Sequence, residues 1–493
     1  MSRRAALMSA WPPCQTSCVR PARPGWRRTV APFDTTACTT REMVLRSCGR
    51  GCSPNSTDRR THPSPPATSN PSDEQRCCYF LAVPSQVNDA PVAHSAVASD
   101  RANWHRALFV GMAAYVVSRM CVVAGAGVRA SQMAVDARTD GVVEPTAYQT
   151  ITNVLTSWDG KWYLELVRRG YPDSVPADIT YEQLEARAAS FPVYPWTVRV
   201  VDAVLPGGDT FAALFVNFVL GAVAVVLVGL LARRLYSVSV AARAMTLFAV
   251  FPGSFVLSFA YSEAVLIVLA AACLWFLIDE RWLLAGVVAA VATGARPNGL
   301  ALVAACAVAS FLAIRRNRDW WSLVAPVLAP LGFIGFQLYI DHTTGERGVW
   351  FRVQREAWSE GTSFGATAIT NSFEFLTNPL GSPTDALTAL SVAALVAMVY
   401  CAWKTRMSWV LVAYSAAVIA LMLAPETVTA RPRFLFTAFP LFIAVAAWWP
   451  DPDDDPDHHR ASWDRAGWDL TLVLCGAGLV AVTGLYAAFG ALP

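Results

Sequence analysis

Three stretches of this chain, Phe211–Leu231, Val265–Ile278 and Leu470–Leu485, run without a single charged residue. An apolar helix needs about 20 residues to cross the hydrocarbon core, and only helices or closed barrels satisfy every backbone group there. The runs lack the alternation of barrel strands, so the expected architecture is an all-α polytopic membrane protein. Composition agrees, with 55% hydrophobic and only 15% charged residues in 493. A soluble domain carries roughly a quarter charged residues.

The first hundred residues are a different material, rich in Arg, Pro, Ser, Thr and Cys, with no run long enough to span. Arg3 and Arg4 are not followed by the apolar segment of a signal peptide. Seven of the twelve cysteines lie here, at spacings other than the usual zinc pairs. Residues 1–100 are therefore expected to be disordered, or a mis-assigned extension whose true start lies downstream. The remaining cysteines fall singly, mostly in apolar runs, and behave as small hydrophobes. The only lysines are Lys161 and Lys404, and the abundance of Arg, Ala and Val is that of a GC-rich genome.

From Ala107 the chain threads a bilayer about eleven times, over 107–128, 210–232, 243–258, 261–279, 281–294, 297–314, 321–340, 385–403, 408–424, 433–449 and 468–490. If the helices alternate, Arg101, Arg106, Arg233, Arg234, Arg281, Arg315, Arg316, Arg318, Lys404 and Arg406 all fall on one side. Cytoplasmic loops carry such an excess. The longest loops, 129–209 and 341–384, then share the extracytoplasmic side, where long ordered loops usually mark function. The expected division is a catalytic domain over 101–450, an acidic cytoplasmic linker over 451–467 and a terminal membrane helix over 468–493. The expected location is the bacterial plasma membrane.

The first outer loop holds the most informative residues. Trp158-Asp159-Gly160-Lys161-Trp162-Tyr163 opens a helix suited to the interface, with aromatics at headgroup depth. Asp159 stands at its start and reads equally as an N-cap or as a catalytic acid. Phe191-Pro192-Val193-Tyr194-Pro195-Trp196 introduces a second interfacial helix, too short and too charged to span.

Those two segments, with Phe251-Pro252-Gly253-Ser254, Tyr261-Ser262-Glu263 and Arg296-Pro297-Asn298-Gly299, occur in the order of the GPI mannosyltransferase II (PIG-V-like) family, which the chain resembles over about residues 105–450. The likeness departs in the amino-terminal extension and beyond Pro450. It implies a GT-C-like bundle with a catalytic acid in the first outer loop. It also implies transfer of mannose from a polyprenyl- or dolichyl-phosphate carrier to a glycolipid.

A glycosyl phosphate already carries a good leaving group, so the chemistry needs a base for the acceptor hydroxyl and cations for the departing phosphate. Asp159 is the expected base. The expected donor- or acceptor-binding residues are Trp158, Lys161, Tyr194, Glu263, Arg296, Arg431 and Arg433. Arg296 lies between two apolar runs, where a charge is a functional hypothesis by default. Arg352 and Arg355 read as surface charge. No cofactor or metal is expected, and the partners are the lipid-linked donor, a glycolipid acceptor and membrane lipids, with no nucleic acid. The sequence has no P-loop or zincin motif. The alternative is a secondary transporter, with Phe251-Pro252-Gly253 as its helix break, but the halves show no repeat.

Overall fold

The computed structural model describes residues 91–141, 146–427, 429–450 and 458–486. Residues 1–90, expected as an extension, and the acidic stretch Asp451–Asp457 lie outside them. Residues 91–100, expected within that extension, belong to the first helix. Among the described residues there is no strand, only one isolated antiparallel bridge between Thr362 and Pro425.

The membrane part begins with α1 (Pro91–Thr139) and, after the loop expected from the sequence to be the first outer one, α5 (Gly208–Leu235). That loop carries α2 (Ala147–Leu155), α3 (Asp159–Arg169) and α4 (Val193–Asp202). There follow α6 (Val238–Val250), α7 (Glu263–Ile278), α8 (Trp282–Thr293) and α9 (Ala301–Asn317). The next crossing combines α10 (Val324–Leu328) and α11 (Leu331–Thr344), and the second outer loop carries α12 (Val349–Ala357) and α13 (Ala366–Thr377). The chain returns through α14 (Pro383–Lys404), α15 (Trp409–Leu423), α16 (Pro432–Thr437), α17 (Pro440–Trp448) and α18 (His458–Tyr486).

Six of these helical stretches are long and apolar enough to cross a membrane, and α6, α7, α8 and α15 are shorter apolar helices. The tenth expected segment, 433–449, is divided: Pro440 opens α17 after the break at Ala438–Phe439. Helix α18 starts ten residues before the hydropathy limit at 468 and takes in part of the expected linker.

Ion pairs mark one end of the bundle. Arg233 meets Asp100, Arg234 lies 3.7 Å from Asp279, and Arg316 meets Glu280. Asp100 of α1 and the ends of α5, α7 and α9 therefore lie at one level. Glu263 opens α7 at the other end, about 24 Å away for 16 residues at 1.5 Å each.

At that opposite end the two outer loops share one hydrophobic cluster. Trp162, Ile179 and Phe191 of the first pack with Trp350 and Val353 of the second, and with Phe336 and Ile340 of α11. Arg352 is not surface charge: it binds Glu346 and Glu356 and donates to the carbonyls of Val175 and Pro176, tying the loops together.

Candidate active site

Helix α3 begins in an unusual way. Trp158, its N-cap, sits at φ 57° and ψ −118°, a conformation costing of order 1–3 kcal/mol for a bulky residue. It is held there by its indole N–H, which donates to the Tyr486 carbonyl at 2.8 Å. The next residue is Asp159, in the first turn of α3. Its carboxylate does not cap the helix; Oδ2 accepts instead from Arg433 Nη1 at 3.1 Å, and Arg296 Nη2 lies 3.8 Å away. The capping alternative is thereby corrected: the cap position belongs to Trp158, and no side-chain cap bond forms.

The connector between α6 and α7 supplies the second acid. A 3₁₀ turn over Pro252–Leu257 breaks the helix after Phe251. Asn217 of α5 donates to the carbonyls of Phe259 and Tyr261, which turns the chain into Tyr261-Ser262-Glu263. Glu263 is fully buried, and Oε2 lies 3.0 Å from Arg296 Nη1. That contact is an ion pair without hydrogen-bond alignment, because both Glu263 oxygens lack an aligned donor. Arg296 Nη1 donates instead to Ser262 Oγ at 3.1 Å, and Ser262 Oγ meets Tyr163 Oη at 2.7 Å.

Both arginines owe their placement to prolines. Arg296 precedes Pro297 and is fully extended, as residues before proline prefer, while Pro297 opens the following turn. At α16 the extended residue before the proline is Arg431, and Pro432 opens the turn that carries Arg433. Gly253 is required by this geometry: a methyl there would collide with the Pro432 carbonyl oxygen and crowd Phe436. The Phe-Pro-Gly-Ser turn is thus the seat of Arg433.

Four charges alternate in consequence: Glu263, Arg296, Asp159, Arg433. Only Asp159, with a quarter of its side chain exposed, faces water; both arginines are nearly enclosed. Arg433 lies over the ring of Phe434 at 4.5 Å and donates from Nη1 to Tyr486 Oη at 2.8 Å, which in turn accepts from Tyr261 Oη at 2.8 Å. Its Nε is buried with no acceptor, a donor that an anionic group at this place would satisfy.

Aromatic rings from both loops gather on the watery side. Tyr181 lies 6.5 Å from Trp158, 5.3 Å from Trp162 and 5.4 Å from Trp358, centroid to centroid. Burial, and then the Asp159 carboxylate, push the Tyr181 hydroxyl up to about 12.

Of the expected residues, Trp158, Asp159, Glu263, Arg296 and Arg433 come together. Three do not. Tyr194 is wholly enclosed, its ring edge-on to Tyr163 at 5.1 Å and its hydroxyl on the Ala213 carbonyl. Arg431, two residues before Arg433 and on the other side of α16, turns to the Thr384 carbonyl and Thr388 of α14. Lys161 points into solvent, 3.6 Å from Glu182, with its ammonium over Trp162 at 4.6 Å. Sequence reasoning missed Tyr486, Tyr181 and Trp358, and assigned no role to Tyr261 and Ser262 although it quoted their motif. Among the described residues no group of three or more His, Cys, Asp or Glu side chains could hold a metal ion.

Among solved structures the chain is similar to ArnT from Cupriavidus metallidurans bound to undecaprenyl phosphate, at 15% identity and TM-score 0.41, over 66% of this chain and 68% of that one. It is also similar to the oligosaccharyltransferase AglB from Archaeoglobus fulgidus in complex with an inhibitory peptide and a dolichol-phosphate, at 12% identity and TM-score 0.37. That likeness covers 68% of this chain and 52% of AglB, about half its length. No curated protein sequence matches. Residues 188–340, which include Tyr194, Glu263 and Arg296, match the family model described as dolichyl-phosphate-mannose-protein mannosyltransferase.

Proposed function

We propose that this protein is a membrane glycosyltransferase that moves a mannosyl residue from a polyprenyl-phosphate carrier to a glycolipid acceptor on the extracytoplasmic face, as in the GPI mannosyltransferase II family. The observation that carries the reading is the partly exposed Asp159 carboxylate held between two buried guanidiniums at the end of the bundle opposite the basic residues. The excess of arginine at cytoplasmic ends supports the orientation. The family match over residues 188–340 supports the chemistry.

In the step itself the acceptor oxygen forms a bond to the anomeric carbon as the bond from that carbon to the carrier phosphate breaks. The bonding pair leaves with the phosphate oxygen, and the hydroxyl proton passes to Asp159. Attack opposite the phosphate inverts the anomeric carbon. Arg433 and Arg296 take the growing phosphate charge; preorganised cations in a water-poor site are effective because they need no reorganisation. Phosphate bound by these guanidiniums makes strong charge-assisted bonds, which releases the carboxylate to the hydroxyl. The rings of Trp158, Tyr181 and Trp358 offer the sugar an apolar wall.

Membrane glycolipids from a strain lacking the gene test the assignment. One species is expected to accumulate short of a single hexose, and plasmid-borne wild type restores it. An unchanged glycolipid profile contradicts the proposal.

A further inference from the structure

The end of the bundle away from Asp159 contains a groove with its own chemistry. Helix α14 starts beside Arg431, which binds Thr384 and Thr388, and Lys404 follows Thr384 by 20 residues, about 30 Å along the helix. The turn from Lys404 to Ser408 therefore lies at the basic end, and Ser408 lines a cleft with Glu280 and Arg316.

Between α14, α15 and α17 runs a groove of about 840 Å³. Lys404, Arg406, Trp403 and Trp409 form its mouth, and Val412, Ile419 and Leu441 its walls. From Trp409 to Ile419 it follows α15 for ten residues, about 15 Å, which is half the thickness of a hydrocarbon core. The depth is that of one leaflet. Ser415 lines the groove, and its buried hydroxyl has no partner. At the mouth Trp403 and Trp409 are exposed, as tryptophans at headgroup depth are. The Lys404 ammonium stands over the Trp403 and Tyr400 rings, at 4.9 and 5.4 Å.

The other grooves differ. The one between α4, α8 and α11, about 880 Å³, has no charged residue in its lining. In the cleft beside α9, Arg316 is already paired with Glu280.

We infer that the groove between α14, α15 and α17 is a binding site for an anionic glycerophospholipid of the leaflet at the basic end. Its phosphate-bearing headgroup sits at Lys404 and Arg406, and an acyl chain fills the slot down to Ile419. Basic pockets between spanning helices on the cytoplasmic side hold such headgroups, and each cation adds to the attraction.

Native mass spectrometry of the full-length protein tests the site, after equilibration with equal amounts of phosphatidylglycerol and phosphatidylcholine. Wild type is expected to keep phosphatidylglycerol preferentially. K404Q/R406Q is expected to lose that preference by about tenfold or more, as two cations at this depth require. S415L, which fills the slot while leaving the cations, is expected to reduce retention as well, and R315Q/R316Q to leave it at the wild-type level. Equal retention of both lipids by wild type overturns the site. So does an unchanged preference in K404Q/R406Q, or an equal loss in R315Q/R316Q, which would reduce the effect to general surface charge.

Discussion

Arg433 Nη1 lies 3.1 Å from Asp159 Oδ2, joining residues 274 positions apart in the chain. The bond links the first outer loop to the start of α16, and the second acid–base pair, Glu263 with Arg296, completes a line of alternating charge across the mouth.

Arg433 should act on turnover. Arg433→Gln removes a guanidinium aimed at the site while keeping much of its shape. Losing one such donor typically costs about 10²–10³ in turnover. Arg433→Lys should recover little, because both bonds come from Nη1 at the tip of the guanidinium and the lysine side chain ends one bond short of it. Steady-state kinetics with a polyprenyl-phosphate sugar, beside a membrane-insertion check, measures this. Wild-type kinetics in Arg433→Gln contradicts the assignment.

Glu263→Gln is expected to act first on stability. It leaves Arg296 buried without its nearest opposite charge, and removing one partner of a buried pair costs about 3–5 kcal/mol. The double variant E263Q/R296Q should recover part of that loss, a coupling readable from thermal unfolding of the detergent-solubilised protein.

Gly253→Ala should harm activity although residue 253 touches no substrate. The added methyl meets the Pro432 carbonyl, so α16 must shift and carry Arg433 with it. Overpacking of this kind typically costs about 1–3 kcal/mol. Turnover should fall more than protein abundance in the membrane does.

The tie between the outer loops should be sensitive to acid. Hydrogen bonding to Arg352 holds the Glu346 carboxyl below its ordinary value of 4.5. A depressed carboxyl stabilises the folded loop above its unfolded pKa, and this contribution fades as pH falls through the lower folded value. Protection from hydrogen exchange over residues 345–357, taken relative to the intrinsic amide rate at each pH, should therefore be constant near neutrality and fall below about pH 4. In Arg352→Gln protection should be weaker at neutral pH and lose its acid dependence.

Most of the fold was legible because hydrophobic blocks and basic loop ends are local signals. Asp159, Glu263, Arg296 and Arg433 were legible because charge is rare in such a chain, and each stands beside a proline, a glycine or an aromatic motif. Tyr486 was not. It closes the apolar half of α18, and only the packing of α18 against the 252–257 turn, with Phe255 against its ring, brings it to Arg433. Arg119 was also passed over inside the first span, although a charge there is itself a signal. It is buried, donating to the Ser254 carbonyl and to the Ser254 and Ser258 hydroxyls, and so satisfies the broken helix that seats Arg433. Arg431 shows the converse: two positions from Arg433, it points elsewhere once the helix is built.

The most direct test replaces Asp159 by Asn in membranes supplied with radiolabelled polyprenyl-phosphate mannose and endogenous lipids. Asn keeps the shape and removes the proton acceptor, so transfer should fall by about 10²–10⁴ while the protein remains inserted and folded. Label reaching the glycolipid fraction at the wild-type rate in Asp159→Asn would contradict the account.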